Sequence, residues 1–213
     1  MIDKEYDSLI FDLDGTLWDA TEGIRQSWNY ILEHNDKVKR DPISVEELGS
    51  CMGLVMYDIA AKLFPAVEKK VRDSLMDELC LYENQYLSQN GGDLYPDLES
   101  SLKILRQKYR LFIVSNCQDG YIEAFLESSG LGYLFEDTEC WGRTRLSKDK
   151  SNKILIERND LKNPVYIGDT ASDAKAAHDA GVDFIYASYG FGNVEEGQYV
   201  EKVEKFKELI DKL

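Results

Sequence analysis

The chain has 213 residues, 43% of them hydrophobic, which suits one large domain or a domain with an insertion and excludes a disordered chain. A formal net charge of −15 and a pI near 4.6 argue against nucleic acid or an anionic membrane as partner, because such a surface repels phosphates. The four cysteines, Cys51, Cys80, Cys117 and Cys140, form no CxxC pair and do not group with His34 or His178, so reduced thiols are expected, without a zinc site or disulfides.

The opening stretch MIDKEYDSLIFD lacks a signal-peptide pattern, and no run approaches the roughly 18–20 apolar residues of a membrane helix. A cytoplasmic protein is the expectation. Residues 6–11 predict a first strand. Between residues 20 and 90 the pattern turns helical. Ile24, Trp28, Ile31 and Leu32 make one stripe; Met56, Ile59, Ala60, Leu63 and Phe64 a second; Val67, Val71, Leu75, Leu79, Tyr82 and Tyr86 a third. Gly91-Gly92 and the turn around Pro96 suit an exit from this all-helical insertion.

From residue 93 helices and strands alternate. Asp97 is expected to cap a helix carrying Leu98, Leu102 and Leu105, and Leu111–Val114 reads as a strand. Asp119 is expected to cap a helix with Ile122, Phe125 and Leu126 that stops at Gly130. A short helix is expected over 151–159, a strand over Val165–Ile167, and a small-residue helix over Ala171–Ala180 ended by Gly181. Phe184–Ala187 reads as the last strand, and a final helix is expected to carry Val200, Val203, Phe206, Ile210 and Leu213. Such alternation implies a parallel sheet with helices on both faces, whose ligands bind beyond the carboxyl ends of strands.

Three polar motifs fall at those ends. DLDGTL, residues 12–17, places Asp12 and Asp14 two residues apart, on one side of the chain if it stays extended, before a glycine turn. VSN, Val114–Asn116, follows Leu111–Ile113, and GDTASD, Gly168–Asp173, follows Val165–Ile167. Paired acids at a sheet mouth can hold a divalent cation and still offer a nucleophile and a proton carrier. Lys148, Lys150 and Lys153 lie between the second and third motifs.

These motifs, in this order, resemble those of the haloacid dehalogenase superfamily in its phosphatase branch, over residues of about 5 to 192. The resemblance implies a Rossmann-like three-layer core, residues 1–17 and 91–213, with an all-helical cap inserted after the first strand, residues 18–90, as in the phosphoglycolate phosphatase-like group. It implies a Mg2+-dependent phosphatase in which Asp12 forms an aspartyl-phosphate and Asp14 carries protons. Ser115, the Asn116 amide and a lysine would hold the phosphoryl group. Lys148 fits that place best, with Lys150 next. Asp12, Asp169 and the Asp14 carbonyl would hold the metal, and Asp173 would reach it through water or brace its neighbours. Asp14 disfavours the dehalogenase and phosphonate-cleaving branches. A sugar phosphomutase, or a catalytically weak phospho-ligand binding protein, stays open as an alternative. The implied partner is a small phosphorylated metabolite, and the protein a monomer or weak homodimer. Gly49, Cys51, Met52 and Gly53 suggest a specificity loop or an ordinary turn, and Tyr189–Gly192 a loop bordering the site. Trp18 and Trp28 read as packing residues, His178 as a surface one.

Overall fold

The first strand, β1 (Ser8–Phe11), is buried at all four residues and lies at the centre of a six-stranded parallel sheet. The computed structural model describes residues 5–213. Beyond β1 the chain makes the turn of the DLDGTL motif and a two-residue strand, β2 (Trp18–Asp19). Four helices follow: α1 (Thr21–His34), α2 (Val45–Gly49), α3 (Met56–Leu63) and α4 (Lys69–Asn90). They carry the three apolar stripes except for Phe64 and Val67, which fall between α3 and α4, and a Ser44–Glu47 capping box starts α2. Helices α1 and α3 pack on α4. Gly91 ends α4 at φ 70°, and β3 (Asp93–Leu94) pairs antiparallel with β2, Trp18 opposite Leu94 and Asp19 opposite Asp93.

The alternating part then runs α5 (Leu98–Leu105), β4 (Arg110–Ser115), α6 (Tyr121–Ser129), β5 (Asp137–Cys140), α7 (Trp141–Thr144), α8 (Lys148–Arg158), β6 (Pro164–Gly168), α9 (Ala171–Ala180), β7 (Asp183–Ala187), β8 (Glu201–Val203) and α10 (Leu209–Lys212). The sheet order is β5-β4-β1-β6-β7-β8. Alternate residues serve opposite faces. Leu9, Phe11, Ile113 and Ile167 share a core with Leu102, Phe125 and Leu209 of α5, α6 and α10. Ile10, Phe112, Val114 and Tyr166 pack on the other side against Leu155 of α8 and Ala174 and Ala177 of α9. The result is the three-layer α/β fold that the alternation predicts.

Several local expectations are corrected. The C-terminal helix is replaced by β8, a 3-10 turn at Phe206–Glu208 and the short α10; Val200 is exposed and Val203 is buried in an edge strand. Asp97 occupies the N-cap position of α5 in a left-handed conformation, φ 62°, and makes no side-chain cap. Asp119 stands one residue too early: Gly120 precedes α6, and the Asp119 carboxylate accepts from Arg143 instead. Strand β5, reading DTEC, was not expected, and α8 starts at Lys148 rather than 151. Gly130 and Gly181 end their helices as expected, both left-handed. Among the described residues no helix is long and apolar enough to cross a membrane.

Candidate active site

Strands β1, β4 and β6 run parallel in adjacent positions, so their carboxyl ends open on the same edge. Asp12 follows β1 directly and its N–H donates to the Ile167 carbonyl of β6, 2.8 Å away, which extends the sheet by one step. Ser115 closes β4 and Asp169 follows β6. All three are buried. Gly15 has φ +80°, and a Cβ there would stand 2.3 Å from Asp169 Oδ2. A side chain at Gly190 would lie 2.4 Å from the Asp169 Cβ. Both glycines let backbone close around that carboxylate.

Lys148, at the first position of α8, is buried beside these acids. Its Nζ donates to Asp12 Oδ1 at 2.9 Å and to Asp173 Oδ1 at 2.5 Å. Lys150 is exposed. Asp173 also forms the capping box of α9 with Thr170, accepting from the Thr170 N–H at 3.0 Å and hydroxyl at 2.6 Å. One carboxylate therefore starts a helix and fixes the lysine. Asp14 Oδ1 accepts from Tyr121 Oη at 2.7 Å and Trp18 Nε1 at 2.9 Å. Asp169 Oδ2 accepts from the N–H groups of Phe191 and Gly192, at 2.7 and 3.2 Å. Its Oδ1 is buried without a hydrogen-bond partner.

Four carboxyl groups, of Asp12, Asp14, Asp169 and Asp173, thus gather near one ammonium. Burial, then the Asp173 charge, hold Asp12 well above the usual carboxylate range, with Lys148 opposing. Burial takes Asp14 up to about 6 against the hydrogen bonds from Tyr121 and Trp18. Burial and Asp173 take Asp169 up to about 7. For Lys148 burial works against the charge, and the Asp12 and Asp173 carboxylates outweigh it. Ligand oxygens of Asp12, Asp169 and Asp173 lie within 4.8 Å of one another. Clustered hard oxygens, with a buried one unpartnered on Asp169, fit a small divalent cation.

The sequence matches the family model of the haloacid dehalogenase-like hydrolases over residues 9–187. The chain belongs to that family. Phosphoglycolate phosphatases of Aliivibrio fischeri and Rhodobacter capsulatus are relatives within the reach of direct alignment. The first is 26% identical over 95% of this chain and 94% of its own length, the second 27% identical over 86% and 85%. Among solved structures, a predicted phosphoglycolate phosphatase from Haemophilus somnus superposes with a TM-score of 0.83 at 20% identity, over 98% of each chain. CbbY from Rhodobacter sphaeroides, solved with phosphate, reaches 0.73 at 16% identity, over 96% of each. At these identities the structures establish the haloacid dehalogenase-like fold.

In this member of the haloacid dehalogenase-like family the helices α1–α4 stand over the site. A cavity of about 40 Å3 lies between them and the sheet edge. Asp12, Asp14, Ser115, Asn116 and Lys148 line it from below, and Trp28, Met52, Gly53, Met56 and Ile59 from above. The Asn116 Nδ2 donates to the Gly53 carbonyl at 2.9 Å, tying the β4 exit to the 49–53 segment. Trp28 lines this space as well as packing. His178 is exposed on α9.

Tyr121 and Glu83 are lining residues that were not singled out in the sequence. Tyr121 holds Asp14. Glu83 of α4 is buried, accepting at Oε1 from Gln118 Nε2 at 2.8 Å and at Oε2 from Trp28 Nε1. The signal for Glu83 is periodic: it stands four residues from both Leu79 and Leu87, an acid in a buried stripe. Burial raises its pKa from 4.5 to about 8, against the hydrogen bonds from Gln118 and Trp28. A raised folded-state value means that the stability tied to its proton is complete below about 4.5 and lost as pH rises through about 8. Glu83→Gln should therefore gain on the parent by roughly 4 kcal/mol between pH 5 and pH 9 in denaturant unfolding. Parallel stability curves would show an unperturbed carboxyl.

Proposed function

We propose that the chain is a phosphatase of small phosphorylated metabolites, akin to its phosphoglycolate phosphatase relatives, with Asp12 as nucleophile. The observation that carries this reading is Lys148 Nζ, 2.9 Å from Asp12 at the end of the central strand. A phosphate dianion about 4 Å from a carboxylate meets roughly 8 kcal/mol of repulsion at an effective dielectric near 20. Attack by Asp12 needs that repulsion removed. Lys148 supplies one positive charge on the spot. Mg2+, held by Asp12, Asp169 and the Asp14 carbonyl, would supply charge neutralisation of the phosphoryl oxygens when bound.

Asp12 Oδ attacks phosphorus, the bond to the leaving oxygen breaks, and an aspartyl-phosphate forms on Asp12. Asp14, poised near neutrality and oriented by Tyr121 and Trp18, gives its proton to the leaving oxygen. It then takes one from the water that hydrolyses the intermediate. Ser115 and the Asn116 amide hold the phosphoryl oxygens. Asp173 braces Lys148 rather than touching substrate. Residues 18–90 act as a helical cap that shields the intermediate from bulk water.

The test is inorganic phosphate release from a panel of phosphate monoesters, with Mg2+ and with chelator. Metal-dependent release supports the reading; no release from any ester overturns it. Metal binding has its own readout. Mg2+ at a hundredfold excess over its Kd should stabilise the fold by about 2.7 kcal/mol. Asp169→Asn should abolish that thermal shift. A shift surviving in the variant would move the metal away from Asp169.

A further inference from the structure

The cavity above the nucleophile has mostly apolar walls and one acid on its helical side. Ile24, Leu48, Met52, Met56 and Ile59 line it from the helical side, with Glu83 among them. Lys148 is the one cationic residue in the lining among the described residues, and it is held by Asp12 and Asp173. The other side-chain nitrogen donors in the lining are also engaged. Trp28 Nε1 donates to Glu83, Asn116 Nδ2 to Gly53 O, and Gln118 Nε2 to Glu83 and Asn84. Acceptors are in surplus: Gln118 Oε1 is buried and has no hydrogen-bond partner.

We infer that Glu83 reads the leaving group, favouring a phosphate ester with a short apolar body that ends in a hydrogen-bond donor, an ammonium above all, over one that ends in a carboxylate. This rests on the phosphatase reading above and narrows its substrate class. A carboxylate leaving group would find no free side-chain nitrogen donor in the lining, so its charge would stay unpaired, and it would hold the proton on Glu83 instead of gaining a counter-ion there. An ammonium gains both the orphaned Gln118 oxygen and the Glu83 carboxylate, whose present donors, Gln118 and Trp28, are uncharged. Burial keeps the Glu83 proton on until such a neighbour arrives, and a nearby cation is what favours the ionised form. The apolar walls accept the methylene body. The substrate preference would then differ from the one in the relatives' names.

Four esters of similar length separate the possibilities: 2-aminoethyl phosphate, 2-hydroxyethyl phosphate, propyl phosphate and phosphoglycolate. The expected order of kcat/KM is amine, hydroxyl, alkyl, carboxylate, with at least about tenfold between first and last, as a charged hydrogen bond provides. In Glu83→Gln the ratio of amine to carboxylate should fall by about tenfold or more, mainly through KM for the amine. Glutamine matches glutamate in shape, and a flip of Gln118 can turn its free oxygen toward the new amide, so the variant is expected to fold. Phosphoglycolate as the best ester in the parent would overturn the inference and leave the phosphatase reading standing. So would an amine preference that Glu83→Gln does not change. No turnover of any ester would remove the phosphatase reading and the inference with it.

Discussion

Asp12→Asn is expected to lower phosphate release by about ten-thousandfold or more while the protein stays folded. The amide cannot attack phosphorus at a useful rate, so the first covalent step is lost. The substitution is nearly isosteric, and the new side-chain oxygen can still accept from Lys148, as Asp12 Oδ1 does at 2.9 Å. It also removes one buried negative charge from a cluster that includes Asp169 and Asp173. In chelator the melting temperature should therefore hold or rise, because desolvation and like-charge crowding disfavour the ionised Asp12 in the absence of metal. The pairing of lost activity with retained stability is the diagnostic result. Activity within tenfold of the parent would assign the nucleophile elsewhere, and a collapse of melting temperature would make Asp12 a structural residue.

Lys148→Ala should depress kcat by about a hundredfold to a thousandfold, the scale of removing one group that stabilises transition-state charge. Unlike Asp12→Asn, it should also destabilise the fold. Lys148 is buried and joins two carboxylates from different segments. Removing one partner of a buried ion pair leaves uncompensated charge, at a cost of about 3–5 kcal/mol. Asp173, which also caps α9, would carry part of that penalty. Lys150→Ala, on the exposed side of the same helix, should change stability by no more than about 0.5 kcal/mol and leave kcat near the parent. Steady-state rates and urea unfolding of the two variants side by side decide the matter; equal effects would remove Lys148 from its place in the mechanism.

The outline of the site was legible where an apolar run ends in a polar motif. Phe11 before Asp12, Val114 before Ser115 and Ile167 before Asp169 each mark the end of a buried strand, and parallel strands bring such ends to one edge. Short edge strands escaped notice because their residues are polar or half-exposed. DTEC of β5 and EKV of β8 have no apolar run to betray them. The C-terminal stripe misled for a different reason: Val203, Phe206 and Leu209 are buried every third residue, yet strand, 3-10 turn and α-helix supply them in succession. Lysine assignment depends on where α8 begins. A start at Lys148 buries that ammonium and leaves Lys150 outside, whereas spacing alone permits either. Glu83 was illegible as a ligand-facing group because its partners, Trp28 and Gln118, are 55 and 35 residues away in the chain.

The small ribbon of β2 and β3 has a consequence for how such a chain can change. Asp19 and Asp93 are cross-strand neighbours, so the helical segment leaves and rejoins the sheet layer at points about 5 Å apart. An insertion with adjoining ends imposes no distance on its host. The segment between them can change in length without pulling on β1, whose register with β4 and β6 does not depend on it, provided that the face it packs on α6 stays covered. The fold is in this sense a socket: the ends of the helical segment meet at one place, and the strand ends that carry Asp12, Ser115 and Asp169 are set by the sheet.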